Sequence, residues 1–131
     1  MYCGTDIIEV DRVKSSIESN DKFKERVFTQ KEILDIDKCK TDVKYERYAG
    51  RFAAKEAIFK ALSEILINNE LTLDFNEIEI ENITDYKRRP KVNILSVKVQ
   101  ELLNIKNIKI DISISHIKST AVAMCVVSLK S

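Results

Sequence analysis

The side chains able to do polar chemistry fall in three separate places. Asp6 lies near the N-terminus, just before Ile7 and Ile8. Glu56 interrupts a run of helix formers and aromatic residues, and Lys60 follows four positions later. His116, the only histidine, closes the alternating stretch that begins at Ile108. Two carboxylates from separate elements can hold magnesium, which takes hard oxygen ligands and keeps water or substrate phosphates for the rest. Lys60 would offer the same phosphates a compact positive charge. Each residue also has a plainer reading. A Glu–Lys pair at i,i+4 is commonly a solvated helix pair, Asp6 can cap a following helix, and a lone histidine can be a hydrogen-bonded surface residue. Spacing alone leads no further than a candidate site for magnesium-dependent phosphate chemistry.

Composition narrows the classes. The chain has 131 residues, 44% hydrophobic and 33% charged. That is the size and balance of one globular domain, spanning residues 1–131, with enough chain to bury a core. Lys plus Arg is 22 against 21 for Asp plus Glu, which argues against an affinity resting on global attraction to nucleic acid. There are two glycines, Gly4 and Gly50. A Walker-type loop and a dinucleotide fingerprint both need clustered glycines, so any phosphate here must be met by side chains or a metal ion. Cys3, Cys39 and Cys125 are far apart and lack metal-ligand spacing. They read as reduced thiols of a cytoplasmic protein. No apolar segment after Met1 suggests a signal peptide, and none suggests a membrane partner.

The positioning elements follow from periodicity. Residues 2–8 form a strand candidate, and Val10, Val13 and Ile17 mark a helix over about 9–18. Asn20 or Asp21 can cap a short helix over 22–28. Thr29 and Glu32 form a capping-box pattern opening a helix to about Cys39. The longest helix runs from Val43 to about Ile67. Tyr45, Tyr48, Phe52, Phe59 and Leu66 make an apolar stripe on it, with Glu56 near its middle. A carboxylate there is costly unless a cation meets it. Alternation then marks strands over 77–81 and 108–115, with a shorter strand over 92–95. Ser96 can cap a helix to about Leu103. The apolar run from Thr120 to Leu129 reads as a central strand, joined to its predecessor by a turn at residues 116–119. Helices followed by antiparallel strands indicate an α+β fold, with N-terminal helices, one of them long, packed on an antiparallel sheet.

Gly4-Thr5-Asp6-Ile7-Ile8-Glu9, then Arg12, then Arg51-Phe52-Ala53-Ala54-Lys55-Glu56-Ala57 with Lys60-Ala61, and finally Ser113-Ile114-Ser115-His116 strongly resemble the holo-acyl-carrier-protein synthases. These are the small phosphopantetheinyl transferases. The resemblance runs in order along nearly the whole chain. It implies transfer of 4′-phosphopantetheine from coenzyme A to a serine of apo acyl carrier protein, in fatty acid biosynthesis, with release of adenosine 3′,5′-bisphosphate. Residue by residue, it implies Asp6 and Glu56 as Mg²⁺ ligands and Lys60 at the transferred phosphate. It implies Arg51, Lys60 and His116 as coenzyme contacts. Arg12, Lys22, Phe23 and Arg26 then dock the carrier protein, within a region that Lys14, Lys24 and Lys31 also make basic. Glu56, directly or through a metal-held water, is a candidate for the general base. The resemblance further implies a homotrimer with sites between subunits.

Two departures stand out. Where the family continues with Gly-Thr-Gly, this chain has Ser63-Glu64-Ile65 after Leu62, so the long helix is expected to run on for another turn. Where the family favours Gly-Lys-Pro, it has Arg88-Arg89-Pro90, and a redesigned turn is expected. The competing reading is a scaffold that binds carrier protein and has lost turnover. A weaker rival, an RNA binder at Lys87-Arg88-Arg89, lacks paired strand aromatics.

Overall fold

The computed structural model describes residues 1–82 and 89–130. Its elements are β1 (Tyr2–Glu9), α1 (Val10–Ser19), α2 (Phe23–Val27), α3 (Gln30–Ile36), α4 (Val43–Asn68), a 3-10 turn (Phe75–Glu77), β2 (Ile78–Asn82), β3 (Pro90–Ile94), α5 (Val97–Ile105), β4 (Ile108–His116) and β5 (Thr120–Leu129). The α+β expectation holds, with the strands split between two antiparallel sheets. One has the order β1-β5-β4 and the other pairs β2 with β3. The apolar run at 120–129 is the central strand, as its burial on one full face requires. The turn before it closes with the Ile117 N–H donating to the Thr120 carbonyl at 2.9 Å. The expected turn at Arg88 and the Lys87-Arg88 part of the basic cluster lie outside the described residues.

Local chemistry explains most boundaries. Thr29 and Glu32 form both halves of the predicted capping box at the start of α3. Ser96 accepts from the Val99 N–H at the start of α5. At α2 the expected cap differs. Lys22 occupies that position without a side-chain bond, because Asn20 Oδ1 instead accepts from the Lys22 N–H at 3.0 Å in the preceding turn. Helix α3 ends at Ile36, one turn before Cys39. The next residue, Asp37, is held outside the helix by Lys24 and the Tyr48 hydroxyl, both at 2.8 Å. As expected, α4 continues where the family's glycines would stand, and reaches Asn68. It is closed by Glu70 in a left-handed conformation at φ 55, a position more usual for glycine.

Helix α4 lies across the inner face of the three-stranded sheet. Its buried face is rich in small residues, Ala49, Ala53, Ala54, Ala57 and Ala61, with Ile58 and Leu62. These meet Ala121, Ala123, Cys125 and Val127 on β5. The expected aromatic stripe is therefore not the core face; of its five members only Tyr48 and Leu66 are buried. Small side chains let the helix approach the sheet closely. The larger rings Phe52 and Phe59 are displaced to the margin, where they pack with Phe75.

Candidate active site

Strand alternation sets the first functional side chain. Gly4, Asp6 and Ile8 share the face of β1 that looks toward α4, in register with Cys125, Ala123 and Ala121. The Lys60 ammonium donates to the Thr5 carbonyl at 2.8 Å and lies 3.4 Å from Asp6 Oδ1. Glu56, one turn earlier on α4, feels the Asp6 charge. Burial first, then that charge, push its carboxyl above the ordinary range, and Lys60 partly offsets them. Asp6, remote in sequence from Glu56 and Lys60, thus meets them at the crossing of β1 and α4.

The remaining expected contacts do not join this cluster within one chain. His116 ends β4 and its Nδ1 is 3.0 Å from Glu46 Oε1. Glu46 lies ten residues before Glu56, about 15 Å along a helix. Gly50 makes room there for β4, since a Cβ would meet the Ile114 side chain at 3.0 Å. Arg51 also lies apart from Asp6 and Glu56. Five residues place it about 140° around the helix from Glu56. Its side chain is buried, with Nε donating to the Ile80 carbonyl at 3.2 Å and a terminal nitrogen to Asp35 at 2.9 Å. A guanidinium at that depth needs such partners. Arg12, Lys22 and Arg26 are exposed and Phe23 is half-buried, together forming a basic surface on α1 and α2.

A family model described as the 4′-phosphopantetheinyl transferase superfamily matches residues 2–125. The chain belongs to that superfamily. The transferase is 41% identical over 124 residues to the holo-[acyl-carrier-protein] synthase of Clostridium tetani, covering 95% of this chain and 92% of that one. It is 44% identical over 131 residues to the synthase of the same name from Ruminiclostridium cellulolyticum, covering 98% and 92%. Among solved structures, it is similar to a holo-(acyl-carrier-protein) synthase from Bacillus anthracis in complex with CoA (3′,5′-ADP). That similarity has a TM-score of 0.74 and 31% identity, covering 98% of this chain and 96% of that one. The chain is therefore a phosphopantetheinyl transferase of the holo-acyl-carrier-protein synthase kind, an enzyme.

Sequence reasoning missed a second polar cluster in this transferase. Lys55 and Glu32 are both buried and form an ion pair at 2.6 Å. Glu32 reads in the sequence only as a capping-box residue, and Lys55 only as part of a motif. The signal was available. Tyr48, Arg51, Ile58 and Leu62 lie at i−7, i−4, i+3 and i+7 from Lys55, so the helical period puts Lys55 on the core face.

Proposed function

We propose that this enzyme moves 4′-phosphopantetheine from coenzyme A to a serine of apo acyl carrier protein in a magnesium-dependent reaction. The release of adenosine 3′,5′-bisphosphate and a place in cytoplasmic fatty acid synthesis belong to the same reading. The observation that carries it is the meeting of Asp6, Glu56 and Lys60 at one strand–helix crossing.

The donor set suits Mg²⁺. Both carboxylates are hard oxygen ligands, and each bears on the other's charge, a repulsion that a divalent cation relieves. Among the described residues no third carboxylate, histidine or cysteine joins them, which leaves positions for water and diphosphate oxygens. When bound there, magnesium supplies Lewis-acid charge and a template for the diphosphate.

The chain's own groups do the rest. Lys60, half-exposed and already beside Asp6, adds a fixed positive charge where negative charge grows on the transferred phosphate. The Glu56 carboxylate can take the serine proton as the serine oxygen–phosphorus bond forms. The phosphorus bond to the adenosine bisphosphate oxygen then breaks. His116 serves as a coenzyme contact, supplied by a neighbouring subunit of a homotrimer. In support, the outer face of the β1-β5-β4 sheet exposes apolar side chains, with Ile7 70%, Met124 48% and Val122 41% exposed, beside Thr5, Ser113 and Ser115. The basic surface of Arg12, Lys22 and Arg26, with Phe23, docks the acidic carrier protein.

Mass spectrometry tests the reading. Apo carrier protein incubated with the enzyme, coenzyme A and Mg²⁺ is expected to gain the phosphopantetheine mass, and a chelator is expected to prevent it. Carrier protein that is bound but never modified would instead support a scaffold.

A further inference from the structure

Lys55 is fully buried and sits next to Glu56 on α4. Its ammonium has three protons, and three acceptors surround it. They are the Val27 carbonyl at 2.6 Å, Glu32 Oε1 at 2.6 Å and the Phe75 carbonyl at 3.0 Å. The Phe28 ring centroid lies 5.3 Å away. Burial lowers the affinity of this amine for its proton, and Glu32 opposes that.

The acceptors come from three different segments. Val27 is the last residue of α2, and its carbonyl is one of those a helix end leaves without an internal partner. Glu32 begins α3, where its other oxygen accepts from the Ile80 N–H of β2 at 3.0 Å. Phe75 opens the 3-10 turn. One nitrogen thus ties α2, α3 and the 3-10 turn to the helix that carries Glu56.

The aromatic packing gives the tie a direction. Phe23 of α2 stacks on Phe52 at 6.3 Å, Phe52 stacks on Phe75 at 5.7 Å, and Phe75 meets Phe59 edge-on at 5.0 Å. Phe52 and Phe59 lie at i−4 and i+3 from Glu56, so their rings flank it. Phe23 belongs to the docking surface. A shift of α2 would therefore move the docking surface and the wall beside Glu56 together.

We propose that Lys55 is a positioning residue that holds the carrier-docking helix α2 in register with Glu56, a role that rests on the reading given under Proposed function. It touches neither substrate. Its loss is expected to misplace the carrier protein and leave coenzyme A binding intact, because Asp6 and Lys60 are held by β1 and not by α2.

The test compares wild type with Lys55→Met, Lys55→Arg and the double variant Lys55→Met/Glu32→Gln. The double variant removes both charges of the buried pair and leaves Arg51, 4.0 Å from Glu32, its Asp35 partner at 2.9 Å, which favours folding, yet it still strips the Val27 and Phe75 carbonyls of their donor. In folded Lys55→Met and double variants, KM for apo carrier protein is expected to rise about tenfold, the scale of one lost anchor contact. KM for coenzyme A is expected to stay within about twofold, and Lys55→Arg, which keeps a buried donor, to recover part of the carrier affinity. An unchanged carrier KM in the folded double variant, or equal rises in both constants, overturns the proposal. Should neither methionine variant fold, amide exchange in wild type decides. The Arg26 and Phe28 amides are expected to be protected as one unit with the centre of α4, and independent fast exchange of α2 overturns the role. A wild-type protein that transfers nothing would sink the proposed reaction, while the exchange result would still report on the α2 anchor.

Discussion

Gly4 of β1 lies against the backbone of Ala57 on α4, so close that a Cβ would press into the Ala57 carbonyl oxygen. The same Cβ would come within 2.9 Å of the Ala61 nitrogen and the Lys60 Cβ. This contact fixes the distance between the strand that carries Asp6 and the helix that carries Glu56. A backbone carbonyl cannot swing aside as a side chain can, so the strand itself would have to lift.

Gly4→Ala is accordingly expected to cost more than about 3 kcal/mol, the upper end of ordinary overpacking, and to abolish transfer by separating Asp6 from Glu56. Thermal melting with a parallel transfer assay checks this. A variant that melts within a few degrees of wild type and still transfers would show that the close approach is not required.

Glu56 costs the metal-free fold stability. Its carboxyl is raised above the ordinary value of 4.5. Below that value the folded and unfolded chains both hold the proton, and the residue contributes no difference. As pH rises the unfolded chain ionises first, so stability falls through the window up to the raised value. In chelator, Glu56→Gln is expected to melt higher than wild type near neutral pH and equally well in acid, while losing transfer. A lower melting temperature at neutral pH would contradict this sign.

Asp37 has the opposite sign. Burial alone would raise its carboxyl, but hydrogen bonds from Lys24 and Tyr48 outweigh it and hold it below 3.8. The contribution is present above the ordinary value and lost as pH falls through the lowered one. Asp37→Asn is expected to destabilise by roughly 0.5–1 kcal/mol near neutral pH, given its partial exposure to solvent. Denaturant titrations at neutral and strongly acid pH check this, with the gap closing in acid.

The outer sheet face provides a test of assembly. Met124→Glu places a charge on the outer sheet face beside the exposed Val122 and Ile7. Light scattering is expected to show a trimer for wild type and a monomer for the variant, with transfer lost, as the proposed supply of His116 by a neighbouring subunit requires. A monomeric wild type with full activity would remove the inter-subunit assignment.

Reversing the docking charges separates the two substrates. The Arg12→Glu/Arg26→Glu variant is expected to raise KM for carrier protein about tenfold and to leave that for coenzyme A unchanged, with the difference shrinking as salt screens the charges. Initial rates at two salt concentrations measure it. Equal changes in both constants would count against a docking role.

Residue types and periods by themselves determined a good deal. The capping box at Thr29, the Ser96 cap, the alternation of β4 and the apolar run of β5 are local signals, each legible because its cause lies within a few residues. The motif around Asp6, Glu56 and Lys60 also identified the family. Local signals misjudged α4, because hydrophobicity ranked the rings of Phe52 and Phe59 above the alanines beside them. Only tertiary packing decided that alanine faces the sheet, since the limiting quantity there is distance between backbones and not apolar area. Tertiary structure alone also turned Arg51 inward, left His116 beside Glu46, and gathered Val27, Glu32 and Phe75 around Lys55. Partners separated by twenty or more residues leave no periodic trace in a sequence; their meeting is set by how the elements stack.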